Sequence, residues 1–378
     1  VTPLTELSWK KRALGGSVVG FLPLISAQEA AWSFSLRVAL PGVGWNTDSH
    51  SMAFTNLYWG CIEQQLKDSE LSEDKEEISA VHLPKSQSSP IYNNAKLSFL
   101  TLLTSMFESK VLYASPANRT LPKTPRDFYM PNYEDLEIVT KDKKVVHGWL
   151  IKRKDSRNVP TIVHFHGNAC NVSHMLYDAL GMFQKVKTNI MLLDYRGYGL
   201  SEGSPSQAGL VMDAEAALDY LLRRRDVVDP TNIFLFGRSL GGAVAIELAA
   251  RRESNIRAII VENTFTSIDD LVKHLSPAYS KHVIRAMTNK WNSQQVIATI
   301  SRPMLFLSGR ADEIVPPWMM TALYKAAVRS EGRELAAFPK GKHNSTCLSR
   351  GYYETIKRFT NRVLSPEDDM NAGAVARD

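Results

Sequence analysis

Ser239, Asp312 and His343 are residue types that together can turn a hydroxyl into a nucleophile. A serine hydroxyl is weak until a base takes its proton and the backbone aims it at a carbonyl. Ser239 stands in Gly237-Arg238-Ser239-Leu240-Gly241, between an apolar run at 233–236 and a small, apolar helical pattern reaching Ala250. A G-x-S-x-G sequence carries meaning only in that strand-to-helix context. The turn it implies is tight and strained, so its flanks must be small, and Gly237 and Gly241 meet that need. The amide of Leu240 then falls in the first turn of the helix, where N–H groups lack partners and can hold an oxyanion.

Asp312 follows an apolar run at 304–307, inside Ser308-Gly309-Arg310-Ala311-Asp312-Glu313-Ile314-Val315-Pro316-Pro317. A carboxylate just past a strand end, held by a Pro-rich turn, suits the group that orients a histidine. Glu313 is expected to point elsewhere, and Glu262, after the preceding strand, is the alternative acid. His343 lies in Gly341-Lys342-His343-Asn344, between the last predicted strand and the last predicted helix. A general base is expected there, and the order Ser239, Asp312, His343 is a known triad order. The turn His166-Gly167-Asn168-Ala169 is the expected source of a second oxyanion amide. Asn168 is the first choice and Ala169 the next. His166 reads as a structural residue that orients this turn. One oxyanion donor is typically worth about 10²–10³ in rate, so the turn ranks with the triad.

The elements around these residues alternate. The sequence predicts a hairpin of strands at 134–140 and 145–152, then strands at 161–165, 189–193, 233–236, 258–261, 304–307 and 335–338. Helices are expected near 175–185, over 208–224, after Ser239 and over 352–364. Strands alternating with helices imply an α/β fold, a mostly parallel sheet of about eight strands covered on both faces. Ligands in such sheets bind at the carboxyl ends of the strands. Every residue singled out above falls at such an end. Residues 269–303 form a long insertion and are expected to be a helical lid. Its charged residues, including Lys273, Lys281 and Arg285, read as a solvated face, and Tyr279, Met287 and Trp291 as candidates to line an acyl pocket.

The 378 residues carry 45 Lys+Arg and 39 Asp+Glu. Residues 1–110 hold 9 and 11 of these, so the basic excess lies in the rest of the chain. That excess would favour anionic membrane surfaces or acidic substrates, but scattered solvated lysines are the better reading. No basic stripe interleaved with aromatics points to nucleic acid. Three cysteines, Cys61, Cys170 and Cys347, give neither a disulfide framework nor a zinc spacing, which suits a reducing compartment. Glycosylation sequons at Asn118, Asn171 and Asn344 read as chance matches, because two of them adjoin the site.

The sequence opens at Val1 rather than methionine, so residues upstream are expected. Residues 1–107 read as an extension with weak hydrophobic segments and a disordered linker at 63–90. Lys10, Lys11 and Arg12 precede an apolar run at 13–25, too short to span a bilayer. The run at 97–107, LSFLTLLTSMF, is also shorter than the roughly 20 residues a spanning helix needs. It could lie in a membrane interface or pack on the domain. The domain itself is expected over 108–364, with a disordered tail at 365–378.

Six blocks carry a more specific resemblance: HFHGNACN at 164–171, LLDYRGYGLSEGSPS at 192–206, LFGRSLGGAVAIELA at 235–249, IIVENTFTSIDDL at 259–271, SGRADEIVPPWMM at 308–320 and FPKGKHNSTC at 338–347. In order and spacing they resemble the bud-emergence-protein-like subfamily of α/β-hydrolases. The resemblance covers roughly residues 108–364. It implies the α/β-hydrolase fold, with Ser239 as nucleophile, Asp312 as acid and His343 as base, and no metal or other cofactor. Members are membrane-associated serine hydrolases, usually with one N-terminal anchor, and acyl-protein thioesterase activity is suggested by related hydrolases. The resemblance therefore implies an acyl-ester or acylated-protein substrate, palmitoyl-protein included, and a peripheral or singly anchored place on a membrane. The alternatives are a serine peptidase-like hydrolase and a scaffold that keeps the fold without catalysis. The chain departs from the pattern at Cys170, where a glycine is expected, which would narrow the mouth of the site, and in residues 1–95, which do not match.

Overall fold

A computed structural model describes residues 112–114, 121, 123–275, 277 and 280–365. The expectations placed on 1–107 and 366–378, on Asn118 and on Tyr279 lie outside the described residues.

Among the described residues eight strands form one sheet: β1 (Tyr133–Val139), β2 (Val145–Ile151), β3 (Thr161–Phe165), β4 (Asn189–Leu193), β5 (Ile233–Arg238), β6 (Ala258–Glu262), β7 (Met304–Gly309) and β8 (Arg333–Phe338). Their spatial order is β1-β2-β4-β3-β5-β6-β7-β8. β1 pairs with β2, and β2 with β4, antiparallel; every other pairing is parallel. The chain leaves β3 toward β4 on one side, then crosses back to place β5 on the other side. Such a reversal opens a crevice at the carboxyl ends of the flanking strands. Here the flanking strands are β3 and β5, which carry the turn after Phe165 and the Ser239 turn.

The central strands, β3 to β7, are buried along their whole length because both faces are covered. In β5, Ile233 and Leu235 join one apolar layer, while Phe234 and Phe236 join the other. The first layer holds α2 (Gln207–Arg223), α3 (Leu240–Arg251) and α7 (Pro317–Ala326); the second holds α1 (Leu176–Gly181) and α8 (Tyr352–Leu364). In α8, Tyr352, Ile356, Phe359 and Val363 are buried, the one-sided stripe expected of a helix on a sheet. A Pro at the first helical position starts α7, where the sequence read as a turn.

Between β6 and β7 the chain forms α4 (Ile268–Leu275), α5 (Ser280–Ala286) and α6 (Ser293–Ile297). Lys273, Lys281 and Arg285 are exposed, as expected of a solvated face. Met287 and Trp291 are instead buried in the first apolar layer, and the Trp291 indole donates to the Tyr113 hydroxyl at 2.9 Å. Their aromatic and sulfur surface is used for core packing, which corrects the expectation of an acyl pocket wall. Among the described residues no helix is long and apolar enough to cross a membrane.

Candidate active site

The sharp turn from β5 to α3 is formed by Ser239 itself, with φ 54° and ψ −120°. A non-glycine residue in such a conformation is strained and is held there by its surroundings. The Ser239 N–H donates to the Glu262 carbonyl at 3.0 Å. The Ser239 carbonyl accepts from the Gly242 N–H at 2.9 Å and from the Thr264 hydroxyl at 2.7 Å. A side chain on Gly237 would overlap the Gly241 carbonyl, and one on Gly241 would overlap the Phe165 carbonyl. Both glycines are thus required by close backbone approach. Gly167 lies against the Ser239 side chain, 3.6 Å from its Cβ when a Cβ is built on the glycine. Leu240 is the first residue of α3, so its N–H has no partner within the helix.

Asp312 and His343 meet across the loops after β7 and β8. Asp312 Oδ2 lies 2.8 Å from His343 Nδ1. The other oxygen, Oδ1, accepts from the backbone N–H groups of Ile314 at 2.8 Å and Val315 at 2.9 Å. The carboxylate is therefore fixed by three partners, and both side chains are buried. With Nδ1 donating to a carboxylate, Nε2 is the nitrogen left to accept a proton. Among the described residues the Ser239 hydroxyl makes no hydrogen bond.

Glu262, the alternative acid, is engaged elsewhere. Its Oε2 accepts from Arg238 Nε at 3.1 Å and from the Tyr352 hydroxyl at 2.7 Å, while Arg238 also donates to Asp178 at 2.6 Å. All four side chains are buried. Burial, only partly offset by Arg238, raises the Glu262 pKa. Burial works against the Arg238 charge, but Asp178 and Glu262 outweigh it and raise the Arg238 pKa. Glu313 is exposed.

The turn after β3 is fixed from several sides. His166 Nδ1 lies 2.7 Å from the Gly167 carbonyl, which can only accept, so Nδ1 carries the proton. Burial lowers the His166 pKa. The Tyr195 hydroxyl donates to the His166 carbonyl, and the Tyr198 hydroxyl to Asn168 Oδ1, each at 2.9 Å. Ala169 has φ 58°. The turn ends on Val172, whose N–H donates to buried Asp194 at 2.8 Å. Asn171 Oδ1 accepts from Ser173 and His174 N–H groups, so its side chain serves as a cap rather than a glycan site. Cys170 packs into the second apolar layer, and burial pushes its thiol up to about 12. It faces the core, not the mouth of the site, which corrects the expectation of a narrowed entrance.

Sequence reasoning missed Asn263 and Thr264, which follow β6 directly, and the Arg238–Asp178 pair. Their position at a strand's carboxyl end was the available signal. Among the described residues no group of three or more His, Cys, Asp or Glu side chains could hold a metal ion.

This sheet order, with a serine turn after β5 and an Asp–His pair after β7 and β8, defines the α/β-hydrolase fold. A family model described as serine aminopeptidase, S33, matches residues 156–297. Protein bem46 of Schizosaccharomyces pombe is 41% identical over 253 residues, 66% of this chain and 82% of that protein. The α/β-hydrolase domain-containing protein WAV2 of Arabidopsis thaliana is 40% identical, over 71% of this chain and 92% of that protein. A protein of Saccharomyces cerevisiae described as the uncharacterized membrane protein YNL320W is 33% identical, over 67% and 88%. A Pyrococcus furiosus esterase structure, Pf2001, superposes with a TM-score of 0.54 at 19% identity, over 64% of this chain and 94% of that one, a likeness of fold. The chain belongs to the Bem46-like family of α/β-hydrolases.

Proposed function

We propose that this α/β-hydrolase is a serine hydrolase that cleaves an acyl ester or thioester through an acyl-enzyme on Ser239. The observation that carries the reading is the Asp312–His343 pair, closed at 2.8 Å on the sheet edge where Ser239 occupies a strained turn. His343 Nε2 takes the Ser239 proton as the hydroxyl oxygen attacks the acyl carbonyl. The N–H groups of Leu240 and Asn168 hold the oxyanion. His343 then protonates the leaving alcohol or thiol. Next it takes a proton from water, whose oxygen attacks the acyl-enzyme, and it returns that proton to the Ser239 oxygen as the acyl–oxygen bond breaks and the acid leaves. Asp312 keeps the proton on Nδ1 and stabilises the imidazolium.

The printed description of the Pyrococcus furiosus structure as an esterase supports ester substrates. The Saccharomyces cerevisiae relative's description as a membrane protein supports work at a membrane surface, where acylated proteins are found. A second reading, a serine peptidase, is favoured by the aminopeptidase description of the matching family model.

The test is turnover of a panel of p-nitrophenyl acyl esters, acyl thioesters and aminoacyl p-nitroanilides. We expect ester or thioester hydrolysis that Ser239→Ala abolishes. Anilide cleavage without ester or thioester cleavage would favour the peptidase.

A further inference from the structure

The three candidate catalytic loops meet on two residues that do not react. Asn263 follows β6, is 1% exposed and adopts φ 44°. Asparagine tolerates that left-handed region better than most side chains. Its Oδ1 accepts from the Gly309 N–H at 2.8 Å. Gly309 is the last residue of β7, three before Asp312, and its carbonyl accepts from the Asp312 N–H at 3.3 Å. On the other side, the two hydrogens of Asn263 Nδ2 are shared among three acceptors, the Thr346 hydroxyl at 3.0 Å, the His343 carbonyl at 3.1 Å and, longest, the Lys342 carbonyl at 3.3 Å. Only this amide orientation is compatible with these partners, since a carbonyl cannot donate and an N–H cannot accept. The Thr346 hydroxyl spends its own proton on the Lys342 carbonyl at 2.7 Å, so it is an acceptor toward Asn263.

The next residue completes the set. Thr264 donates its hydroxyl to the Ser239 carbonyl at 2.7 Å. A side chain on Gly242 would overlap Thr264, so the residue sits tight against the nucleophile turn. Asn263 thus ties the base loop to the acid loop, and Thr264 ties the same backbone to the serine.

We propose that Asn263 is a positioning residue: its side-chain amide holds the loop carrying His343 in register with Asp312 and, through Thr264, with Ser239. It touches no reacting atom and acts through the backbone of His343. This inference rests on the hydrolase reading above. A buried amide bonded to both loops resists displacement, because moving either loop would break its bonds to the Gly309 N–H and the His343 carbonyl, and buried hydrogen bonds are costly to lose. A misplacement of about 1 Å at a catalytic group costs on the order of 10²-fold in rate.

The test is Asn263→Gly, which keeps the left-handed backbone accessible while removing the amide. Its kcat and KM are measured on p-nitrophenyl butyrate, beside wild type, His343→Ala and the double variant. We expect kcat to fall on the order of 10²-fold with KM within a few-fold and a native thermal transition retained. In the His343→Ala background, the same substitution should change the residual rate by less than about threefold, since the base it positions is gone. A general structural role would instead cost the same factor in both backgrounds, and that result would overturn the proposal, as would a single variant within twofold of wild type. Asn263→Asp, isosteric but unable to donate when ionised, is expected to repeat the kcat loss. Loss of the native transition in both variants would also overturn it, making Asn263 a stability residue. Ser239→Ala separates the two claims. If it still turns over substrate, the hydrolase reading fails. If it is dead and Asn263→Gly is normal, only the positioning role fails.

Discussion

At the scale of single residues, Asp312 and Glu262 offer a contrast between two carboxylates at the carboxyl ends of neighbouring strands, Glu262 as the last residue of β6 and Asp312 just past β7. Asp312 accepts from two backbone N–H groups and faces His343; Glu262 is locked to Arg238 and Tyr352. Asp312→Asn should therefore keep the fold and lose on the order of 10⁴ in kcat, through the wrong His343 tautomer. Glu262→Gln should act on stability, because breaking a buried ion pair typically costs about 3–5 kcal/mol. Steady-state kinetics and urea unfolding of both variants separate the effects. Greater loss of kcat in a folded Glu262→Gln protein would reverse the assignment of the acid. The Asp–His pair was legible in the sequence because each residue follows a strand's carboxyl end in the expected order. Asn263 was not, because its partners lie 46 and 80 residues further along the chain. Arg238 is buried in β5 for the same reason, since Asp178 and Glu262, which neutralise it, come from other elements.

At the scale of elements, the strands were legible to within a few residues because the central ones, β3 to β7, are built around continuous apolar runs, while the alternation in β1 and the polar turn after it marked the first hairpin. Their ends were read short: β5 runs on through Gly237 and Arg238, and β7 through Ser308 and Gly309, where ladder hydrogen bonds continue past the last apolar side chain. Two element-level consequences can be measured. Gly241 packs on the end of β3, so Gly241→Ala must part α3 from Phe165. Overpacking of this kind costs about 1–3 kcal/mol, and a lower thermal midpoint together with lower esterase activity is expected.

The second consequence concerns β1, β2 and the loop after β4. His147 on β2 bridges Asp135 at 2.7 Å and Asp194 at 3.2 Å, and its N–H donates to Ser201. Burial works to lower its pKa, but Asp194 and then Asp135 outweigh it, so the folded value is raised. A raised value means stability that is complete below the ordinary imidazole pKa of about 6.5 and is lost as pH rises through the folded value. The difference in unfolding free energy between wild type and His147→Gln should be largest at about pH 5.5 and shrink toward pH 9. A difference that grew with pH would contradict the bridge. Asp194 also holds the Val172 N–H, so this bridge sits beside the turn after β3.

At the scale of the whole molecule, one sheet reversal between β3 and β5 gathers every candidate group on a single edge, which the alternation of strands and helices made readable. What covers that edge was less readable. Trp291 and Met287 lie in the core because Tyr113, 178 residues away, supplies the indole's acceptor. The run at 97–107 lies outside the described residues, and we propose that it gives reversible membrane attachment. Apolar burial contributes about 25 cal/mol per Å², and flanking Lys96 and Lys110 about 1 kcal/mol each on anionic lipid. Replacing Leu100, Leu102 and Leu103 by Ser should move the protein to the soluble fraction while Ser239 still reacts with a small probe. Resistance of the unaltered protein to alkaline carbonate would contradict reversible attachment and show a true anchor.

The central claim is that Ser239 is the nucleophile. Labelling the full chain with a fluorophosphonate and locating the adduct by peptide mass spectrometry tests it most directly. The account predicts a single stoichiometric adduct on Ser239, absent from Ser239→Ala and strongly slowed in His343→Ala. An adduct on another residue, or full labelling of Ser239→Ala, would contradict it.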